Sequence, residues 1–290
     1  MKTIVNPLLS FKSDQRKKLD PGKTISYLVL ILITIVIFLP LLFVLFSSFK
    51  TPLQIGSEFP LKPPSSFYLK NYQTVFREGE ILRGFVNSGV LVVFSVFINS
   101  LLGSMTAYCI NRFEFKFKKV IMSLFVMGMI MPGLITEVTR FIVVKNLHAY
   151  NTIMAPIIIY AATDLMQIYI YTQFIEKIPV SIDESALIDG SSYFGVFWRI
   201  IFPLMLPATA TLAIIKAVEV INDMYIPYLY MPSAKLRTLT TTLMFFSNSK
   251  LGSWESLSAA IIVVMIPTIL IYLTFQKYIF SGIVAGAVKE

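Results

Sequence analysis

Six long apolar runs with few or no charged residues restrict what this chain can fold into. A helix that crosses the hydrocarbon core of a bilayer needs about 20 such residues. The run 25–46 contains no charged side chain at all. The other runs are 85–110, 120–136, 152–175, 200–218 and 256–276. The sequence therefore predicts an all-α, polytopic integral membrane protein with six transmembrane helices.

Composition supports the same class. The chain is 56% hydrophobic and only 14% charged, whereas soluble domains are about 25% charged. The net charge of +9 would suit nucleic acid, but the basic residues lie in short clusters between the apolar runs. Such clusters fix the orientation of membrane proteins, so we expect a lipid bilayer and no nucleic acid as the surroundings. The one cysteine, Cys109, excludes an intrachain disulfide.

The basic clusters also predict an orientation. The segment 1–24 and the stretch 111–119 are both rich in Lys and Arg, which places them in the cytoplasm by the positive-inside rule. The first apolar run is too long for a cleaved signal peptide, so we expect it to remain as a span. The predicted order is a cytoplasmic segment 1–24, a six-span domain 25–280 and a cytoplasmic tail 281–290. Both termini are then cytoplasmic, and the outward segments are about 47–84, 141–151 and 219–255, of which the first and third are expected to be folded loops.

The segment that precedes the fifth run contains strong helix signals. It reads PVSIDESALIDGSSYFGVFWRIIFPLMLP over 179–207. Ser181 and Glu184 have the spacing of a capping box, in which each side chain satisfies a free backbone amide of the other. Gly190 suits the left-handed turn that ends a helix, and either of the two serines after it suits the start of another. The sequence predicts a short helix, a sharp turn and a second helix on the cytoplasmic side.

This segment resembles the EAA loop of ABC importer permeases, whose pattern is EAA, three residues, G, nine residues, I, one residue, LP. Here Glu184-Ser185-Ala186 is followed at that spacing by Gly190, Ile200 and Phe202-Pro203. Ser185 and Phe202 depart from the pattern by small changes of size. The resemblance implies an ABC type I importer permease fold. It also implies that the loop, about 179–203, is the coupling helix that sits in a cleft of an ATPase subunit. The coupling residues carried over are Glu184, Ser185, Ala186, Asp189 and Gly190.

The carboxyl-terminal stretches 276–282 and 285–289 are similar to the tail of maltose-type sugar permeases, and to the shorter permease of the pair. The resemblance covers essentially the whole chain. It implies a bacterial inner-membrane protein that transports oligosaccharides or related sugars. The implied partners are a second homologous permease, two ATPase subunits and an extracytoplasmic substrate-binding protein. Gly22-Lys23-Thr24 lacks the earlier glycine of a phosphate-binding loop, so we expect ATP hydrolysis on another polypeptide and no cofactor or catalytic residue here.

Polar residues within or beside the apolar runs are candidates for a substrate path, because ionisable groups in a membrane are expensive and often functional. The candidates are Asp164, Gln167, Tyr171, Glu219, Asn222 and Asp223. For Asp164, Gln167 and Tyr171 a structural hydrogen bond between helices remains the alternative. For Glu219, Asn222 and Asp223 the alternative is an ordinary cap at the membrane interface. Glu137 and Arg140, three residues apart on a helix, are expected to pair. His148 is the only histidine, which argues against a metal site.

Three other functions compete with sugar import. A permease for another polar solute, such as a glycerophosphodiester, would share the loop. A secondary transporter would show an inverted repeat, and we find no repeat in the sequence. A membrane enzyme would need clustered acid, base or metal-binding residues, which the scattered carboxylates do not supply.

Overall fold

The structure is a computed structural model that describes residues 21–248 and 253–287. Within these ranges all regular elements are helical, as the sequence predicts. The predicted cytoplasmic segment lies outside the described residues as far as residue 20, and so do residues 288–290 of the predicted tail. The elements are α1 (Pro21–Ser48), α2 (Pro52–Ser57), α3 (Lys70–Arg77), α4 (Ile81–Arg112), α5 (Lys118–Ile130), α6 (Gly133–Asn146), α7 (Met154–Ala161), α8 (Leu165–Ile175), α9 (Val180–Ile188), α10 (Tyr193–Val196), a π-helix (Phe197–Ile201), α11 (Phe202–Leu204), α12 (Leu206–Asn222), α13 (Tyr225–Tyr230), a 3₁₀-helix (Ala234–Leu236), α14 (Leu239–Asn248) and α15 (Trp254–Ala287).

The chain divides into two compact units, Met1–Phe43 and Val44–Glu290. The described part of the first unit, residues 21–43, is most of the apolar helix α1. Its polar side chains are satisfied within the helix: Ser26 donates to the Gly22 carbonyl at 3.0 Å and Thr34 to the Leu30 carbonyl at 2.7 Å. Because hydrocarbon offers no hydrogen-bond partners, this arrangement suits a helix surrounded by lipid.

Three described helices, α1, α4 and α15, are long and apolar enough to cross a membrane unbroken. Three bent pairs become spans only if each pair counts as one: α5 with α6, α7 with α8, and Tyr193–Leu204 with α12, bent by 114°, 51° and 75°. The described part thus holds three candidate spans, or up to six. The runs 120–136, 152–175 and 200–218 are each interrupted by one of these bends, and the count of six spans stays a prediction.

Local chemistry explains two of the breaks. At the first, α5 ends before Pro132, and proline disfavours helical backbone in the residue before it. At the second, Asp164 leaves the helical conformation and caps the start of α8. Helix α6 then runs on to Asn146, so the predicted outward segment 141–151 begins as helix.

Helix α4 exposes apolar side chains and buries mostly small or polar ones, which is the opposite of a helix in a soluble protein. Its exposed side chains include Val86, Val93 and Phe97, all apolar. The buried side recurs every three or four residues and is mostly small or polar: Ser88, Leu91, Ser95, Asn99, Gly103 and Ala107. Small residues allow close helix packing in membranes, and α4 packs there against α7, α8 and α12.

The helical segment after α10 contains a π-turn over Phe197–Ile201. Three aromatic rings stack along it: Phe194 on Trp198 at 6.4 Å and 6°, and Trp198 on Phe202 at 5.4 Å and 5°. Phe194 and Trp198 are exposed. The three rings are four residues apart, so they lie on one side of the helical segment and form a continuous aromatic ladder.

The loop between α1 and α3 is folded around a buried lysine, in agreement with the prediction of a folded loop. Lys50 Nζ lies 3.3 Å from the Phe59 carbonyl oxygen and 3.7 Å from Glu58 Oε2. Asn71 Nδ2 donates to the Ser48 and Lys50 carbonyls at 2.9 and 2.8 Å. These polar contacts, rather than a large apolar core, stabilise the loop.

Candidate coupling loop

Helix α9 contains the predicted coupling residues, but it begins differently from the prediction. Pro179 occupies the N-cap position and no side chain caps the helix, so the proposed Ser181 capping box is wrong. Ser181 lies inside the first turn, where its carbonyl accepts a hydrogen bond from the Ser185 hydroxyl at 2.7 Å. Proline is favoured at helix starts because its fixed φ suits the helix, and here it moves the start upstream of the serine.

The turn after α9 has the predicted geometry. Gly190 adopts φ +88°, a left-handed conformation that glycine adopts without steric cost. The Ser191 amide donates to the Ala186 carbonyl at 3.0 Å, which is the closing bond of a Schellman motif. Ser192 then caps α10 by accepting from the Gly195 amide at 3.1 Å. The prediction of helix, glycine turn and second helix is confirmed.

The two faces of α9 differ in exposure. Glu184, Ser185 and Asp189 are exposed, whereas Ala186 is only 7% exposed and packs into the chain's own core. No local sequence signal marks Ile188, yet this residue is 85% exposed. The outward face of α9 therefore combines carboxylates, a hydroxyl and one apolar side chain, a mixture suited to a protein partner.

The inward face of α9 is tied to α4 by a buried ion pair. Arg112 Nε donates to Asp183 Oδ2 at 2.8 Å, and Arg112 Nη2 donates to the Ile178 carbonyl at 2.6 Å. The side chains of Arg112 and Asp183 are 8% and 9% exposed. In the sequence Arg112 belongs only to a basic cluster, because nothing local relates it to a residue 71 positions away.

The second limb of the loop packs on the same end of α4 through aromatic rings. Phe113 meets Tyr193 edge-on at 5.1 Å, and Tyr108 lies 5.5 Å from Phe197. Tyr108 and Phe197 are buried. Both limbs of the loop thus contact the end of α4.

Three of the predicted substrate-path residues meet at the break between α7 and α8. Asp164 is exposed and is the N-cap of α8, where its Oδ1 accepts a hydrogen bond from the Gln167 backbone N–H at 2.8 Å. Gln167 is buried, and its Nε2 donates to Asn99 Oδ1 at 2.7 Å. Tyr171 is fully buried and donates weakly to the Ser100 carbonyl at 3.5 Å. These bonds hold the broken helix against α4.

The network at this break is closed by two further bonds. Asn99 Nδ2 donates to the Ala162 carbonyl at 2.8 Å, and the Thr163 hydroxyl donates to Gln167 Oε1 at 2.6 Å. A carbonyl left free where a helix breaks needs such a donor in a membrane. Asn99 supplies it from α4.

The other three substrate-path candidates lie at the end of α12. Glu219 pairs with Lys216 at 3.1 Å and is half exposed. Asn222 Oδ1 accepts from the Thr268 hydroxyl at 3.0 Å. Asp223 accepts from Tyr160 Oη at 2.7 Å and caps α13 through its other oxygen. Contact with substrate stays a prediction for all six residues.

Glu137 and Arg140 form the expected pair at 2.8 Å. Glu137 also accepts from Tyr230 Oη at 2.6 Å in a buried contact that joins α6 to α13 and that sequence analysis did not find. Beside α13 lies an open cavity of about 550 Å³ whose lining includes Tyr150, Arg237 and Phe245. The Arg237 guanidinium sits over the Phe245 ring, 4.5 Å from its centre.

The fold and the loop together define a class: a polytopic helical membrane protein that carries a firmly held surface helix between two candidate spans. The family of the binding-protein-dependent transport system inner membrane component matches residues 99–284. The chain belongs to this family and is therefore an inner-membrane transport subunit, not an enzyme.

Named relatives and a solved structure agree with that assignment. The probable starch degradation products transport system permease AmyC of Thermoanaerobacterium thermosulfurigenes is 30% identical over 87% of this chain and 91% of its own length. The melibiose/raffinose/stachyose import permease MelC of Bacillus subtilis is 30% identical over the same shares. A bacterial ABC transporter involved in the import of the acidic polysaccharide alginate matches with a TM-score of 0.78 at 18% identity, over 89% of this chain and 96% of that one. The resemblance to ABC importer permeases is confirmed, and so is the helical importer fold.

Proposed function

We propose that this chain is the membrane permease of an ATP-driven importer for oligosaccharides or related sugars, and that α9 is its docking helix for the ATPase. The observation that carries the docking role is the geometry of α9. Its outward face presents Glu184, Ser185 and Asp189, while its inward face is fixed by Asp183. A helix held on one side and exposed on the other is suited to receive a partner and to transmit its movement.

The assembly proposed around this chain follows the family. It comprises a second homologous permease, two ATPase subunits and an extracytoplasmic binding protein. We assign the outward face of α9 to the ATPase, with Gly190 setting the turn that presents it and Ala186 packing the helix onto its own chain.

The sugar substrate is supported by the relatives, since AmyC and MelC are named for starch products and for melibiose, raffinose and stachyose. Among the path candidates, Asp164 and Glu219 have exposed carboxylates, so we propose these two as the groups most available to sugar hydroxyls. Gln167, Tyr171, Asn222 and Asp223 are engaged in hydrogen bonds between helices, and we propose that they shape the path.

The test of docking is purification of the tagged chain with its partners in mild detergent, followed by mass spectrometry. Glu184→Lys reverses a charge on the outward face, and loss of a charged interface contact costs about 2 kcal/mol or more, roughly a 30-fold loss of affinity. We expect the second permease to be recovered and the ATPase to be lost. Glu176→Lys, the same charge change at an exposed residue just before α9, is the matched control and should retain both.

Two outcomes would contradict the proposal. Substrate-stimulated ATP hydrolysis at the unaltered level in Glu184→Lys would remove α9 from the coupling. Purification of the chain alone, with solute movement in liposomes that needs no ATP, would identify a secondary transporter. Screening a co-purified binding protein against sugars and glycerophosphodiesters by calorimetry would decide the cargo.

A further inference from the structure

Helix α4 is the unusual element of the second unit. It contains 32 residues without a proline, and at 1.5 Å per residue it is about 48 Å long. A bilayer with its headgroups is about 40–45 Å thick. The three bent pairs change direction within their length, and α15 carries Pro267 inside it. An unbroken helix of this length is long enough to reach from one face of a membrane to the other.

The carboxyl-terminal end of α4 is hydrogen-bonded to the coupling loop. Arg112 is its last residue, and the guanidinium reaches both α9, through Asp183, and the Ile178 carbonyl just before α9. Among the described residues, Asp183 Oδ1 is buried without a hydrogen-bond partner. A buried carboxylate held through one oxygen is costly in itself, so this contact is not explained by stability alone.

The amino-terminal end of α4 is hydrogen-bonded to the segment that borders the 550 Å³ cavity. Asn87 Nδ2 donates to the Lys235 and Arg237 carbonyls at 3.0 and 2.8 Å. Ser88 Oγ accepts from the Leu239 amide at 3.0 Å. Arg237 itself lines the cavity. The backbone on both sides of Arg237 is thus attached to the same helix as α9.

We infer that Arg112 is a positioning residue for transport: its ion pair with Asp183 makes α9 and α4 move as one body and carries the displacement of α9 to the cavity rim at Arg237. This inference rests on the proposed docking of the ATPase at α9. The outward residues of α9 receive the partner, and Arg112 and Asp183 pass its movement on. A buried guanidinium–carboxylate contact suits this task because its geometry is directional.

The direct test measures whether α9 and α4 move together. Spin labels are placed on cysteines at Val180, the first residue of α9, and at Leu82, near the far end of α4, with Cys109→Ser as background. Both labelled positions are exposed. In the reconstituted complex we expect the label separation to be the same without nucleotide and with vanadate-trapped nucleotide. In Asp183→Asn we expect the two states to differ. A separation that changes in the chain with the ion pair intact would overturn the inference.

The functional test compares solute moved per ATP hydrolysed. Asp183→Asn should still recover the ATPase but lower this ratio about tenfold, within the 5–150-fold range of typical allosteric coupling. Asp183→Glu, which keeps the carboxylate, should retain most of it. The double variant Arg112→Gln/Asp183→Asn should lower the ratio no further than Asp183→Asn does, because the pair acts as one unit. Glu114→Gln is the matched control, since it removes the exposed Lys118–Glu114 pair beside the same end of α4 and should leave the ratio unchanged.

The failures of the two ideas are distinguishable. If the unaltered chain recovers no ATPase, the proposed function is wrong and this inference falls with it. If the ATPase is recovered and Asp183→Asn transports with the unaltered ratio, only the role of the Arg112–Asp183 pair is overturned.

Discussion

Replacement of Gly103 by alanine tests how closely α4 and α8 must approach each other. A Cβ at this position would lie 2.7 Å from Cδ and Nε2 of Gln167 and 2.9 Å from its Oε1. These separations are too short for van der Waals contact, so the Gln167 amide would have to move. That amide is buried and holds the bonds to Asn99 and Thr163. The substitution therefore breaks the network at the break before α8.

The magnitude follows from three contributions. Overpacking of a tight core costs about 1–3 kcal/mol. Each lost hydrogen bond between membrane helices adds about 0.6 kcal/mol, and two are at risk. Alanine returns about 1 kcal/mol through its better helix propensity. The net effect is a loss of about 2 kcal/mol, which for a chain of this size lowers the apparent Tm by about 4–8 °C.

The assay is thermal stability of the purified protein with its partners, followed by size-exclusion chromatography after heating. Gly89→Ala is the control, because it lies on the same helix and a Cβ there meets nothing within 4 Å. We expect the control to melt at the unaltered temperature or above it. In a Gln167→Ala background, Gly103→Ala should lower the melting temperature less than it does alone, because the clashing side-chain amide is absent. Equal melting temperatures for Gly103→Ala and Gly89→Ala would refute the close-approach reasoning.

Three further predictions concern other parts of the chain. Asp164→Asn keeps an N-cap acceptor and removes the charge, so transport should fall while assembly of the complex is kept. Asp164→Ala also loses about 1 kcal/mol of helix stability, because the cap is removed. Equal loss of assembly and transport in Asp164→Asn would show a structural role. Gly190→Ala forces a residue with a Cβ into the left-handed region at a cost of about 1–2 kcal/mol. Amide hydrogen exchange at the end of α9 should therefore become faster, and an unchanged exchange rate would contradict the predicted strain. The hydrogen bond from Lys62 holds the pKa of Glu58 below its ordinary value of 4.5, outweighing the opposing effect of burial. The ionised carboxylate therefore stabilises the loop around Lys50 at neutral pH, and this contribution is lost as the pH falls below 4.5 through the pKa of the folded state. The protection factors of the amides in that loop, which correct the hydrogen-exchange rate for its own dependence on pH, should fall over this range, and Glu58→Gln should remove this fall.

The sequence specified features that depend on neighbouring residues. The apolar runs marked the helices, and Gly190 with the serine after it marked the turn of the coupling loop. It did not distinguish Pro132, where a helix stops, from Pro40 and Pro267, which lie inside continuous helices. At Pro132 the preceding residue, Met131, adopts ψ 124°, the extended backbone that proline favours before it, whereas α1 and α15 stay helical across their prolines.

Contacts between distant segments were the least predictable. Ser181 and Glu184 have the spacing of a capping box, but Pro179 determines where α9 starts. Arg112 and Asp183 lie 71 residues apart, and each has an ordinary local explanation, one as a basic loop residue and the other as an acid near a helix start. Only the packing of α4 against the loop shows that the two side chains meet.

The π-turn at Phe197–Ile201 has a consequence for how the aromatic ladder can change. A π-turn holds one more residue per turn than an α-helix. If its hydrogen bonds shifted to the α-helical pattern, every side chain beyond it would rotate by about 100° and advance by about 1.5 Å. Side chains beyond the turn, Phe202 among them, would then face different neighbours. The last part of the coupling loop, just before α12, thus contains one extra helical residue, which allows it to turn about its own axis while its backbone stays hydrogen-bonded.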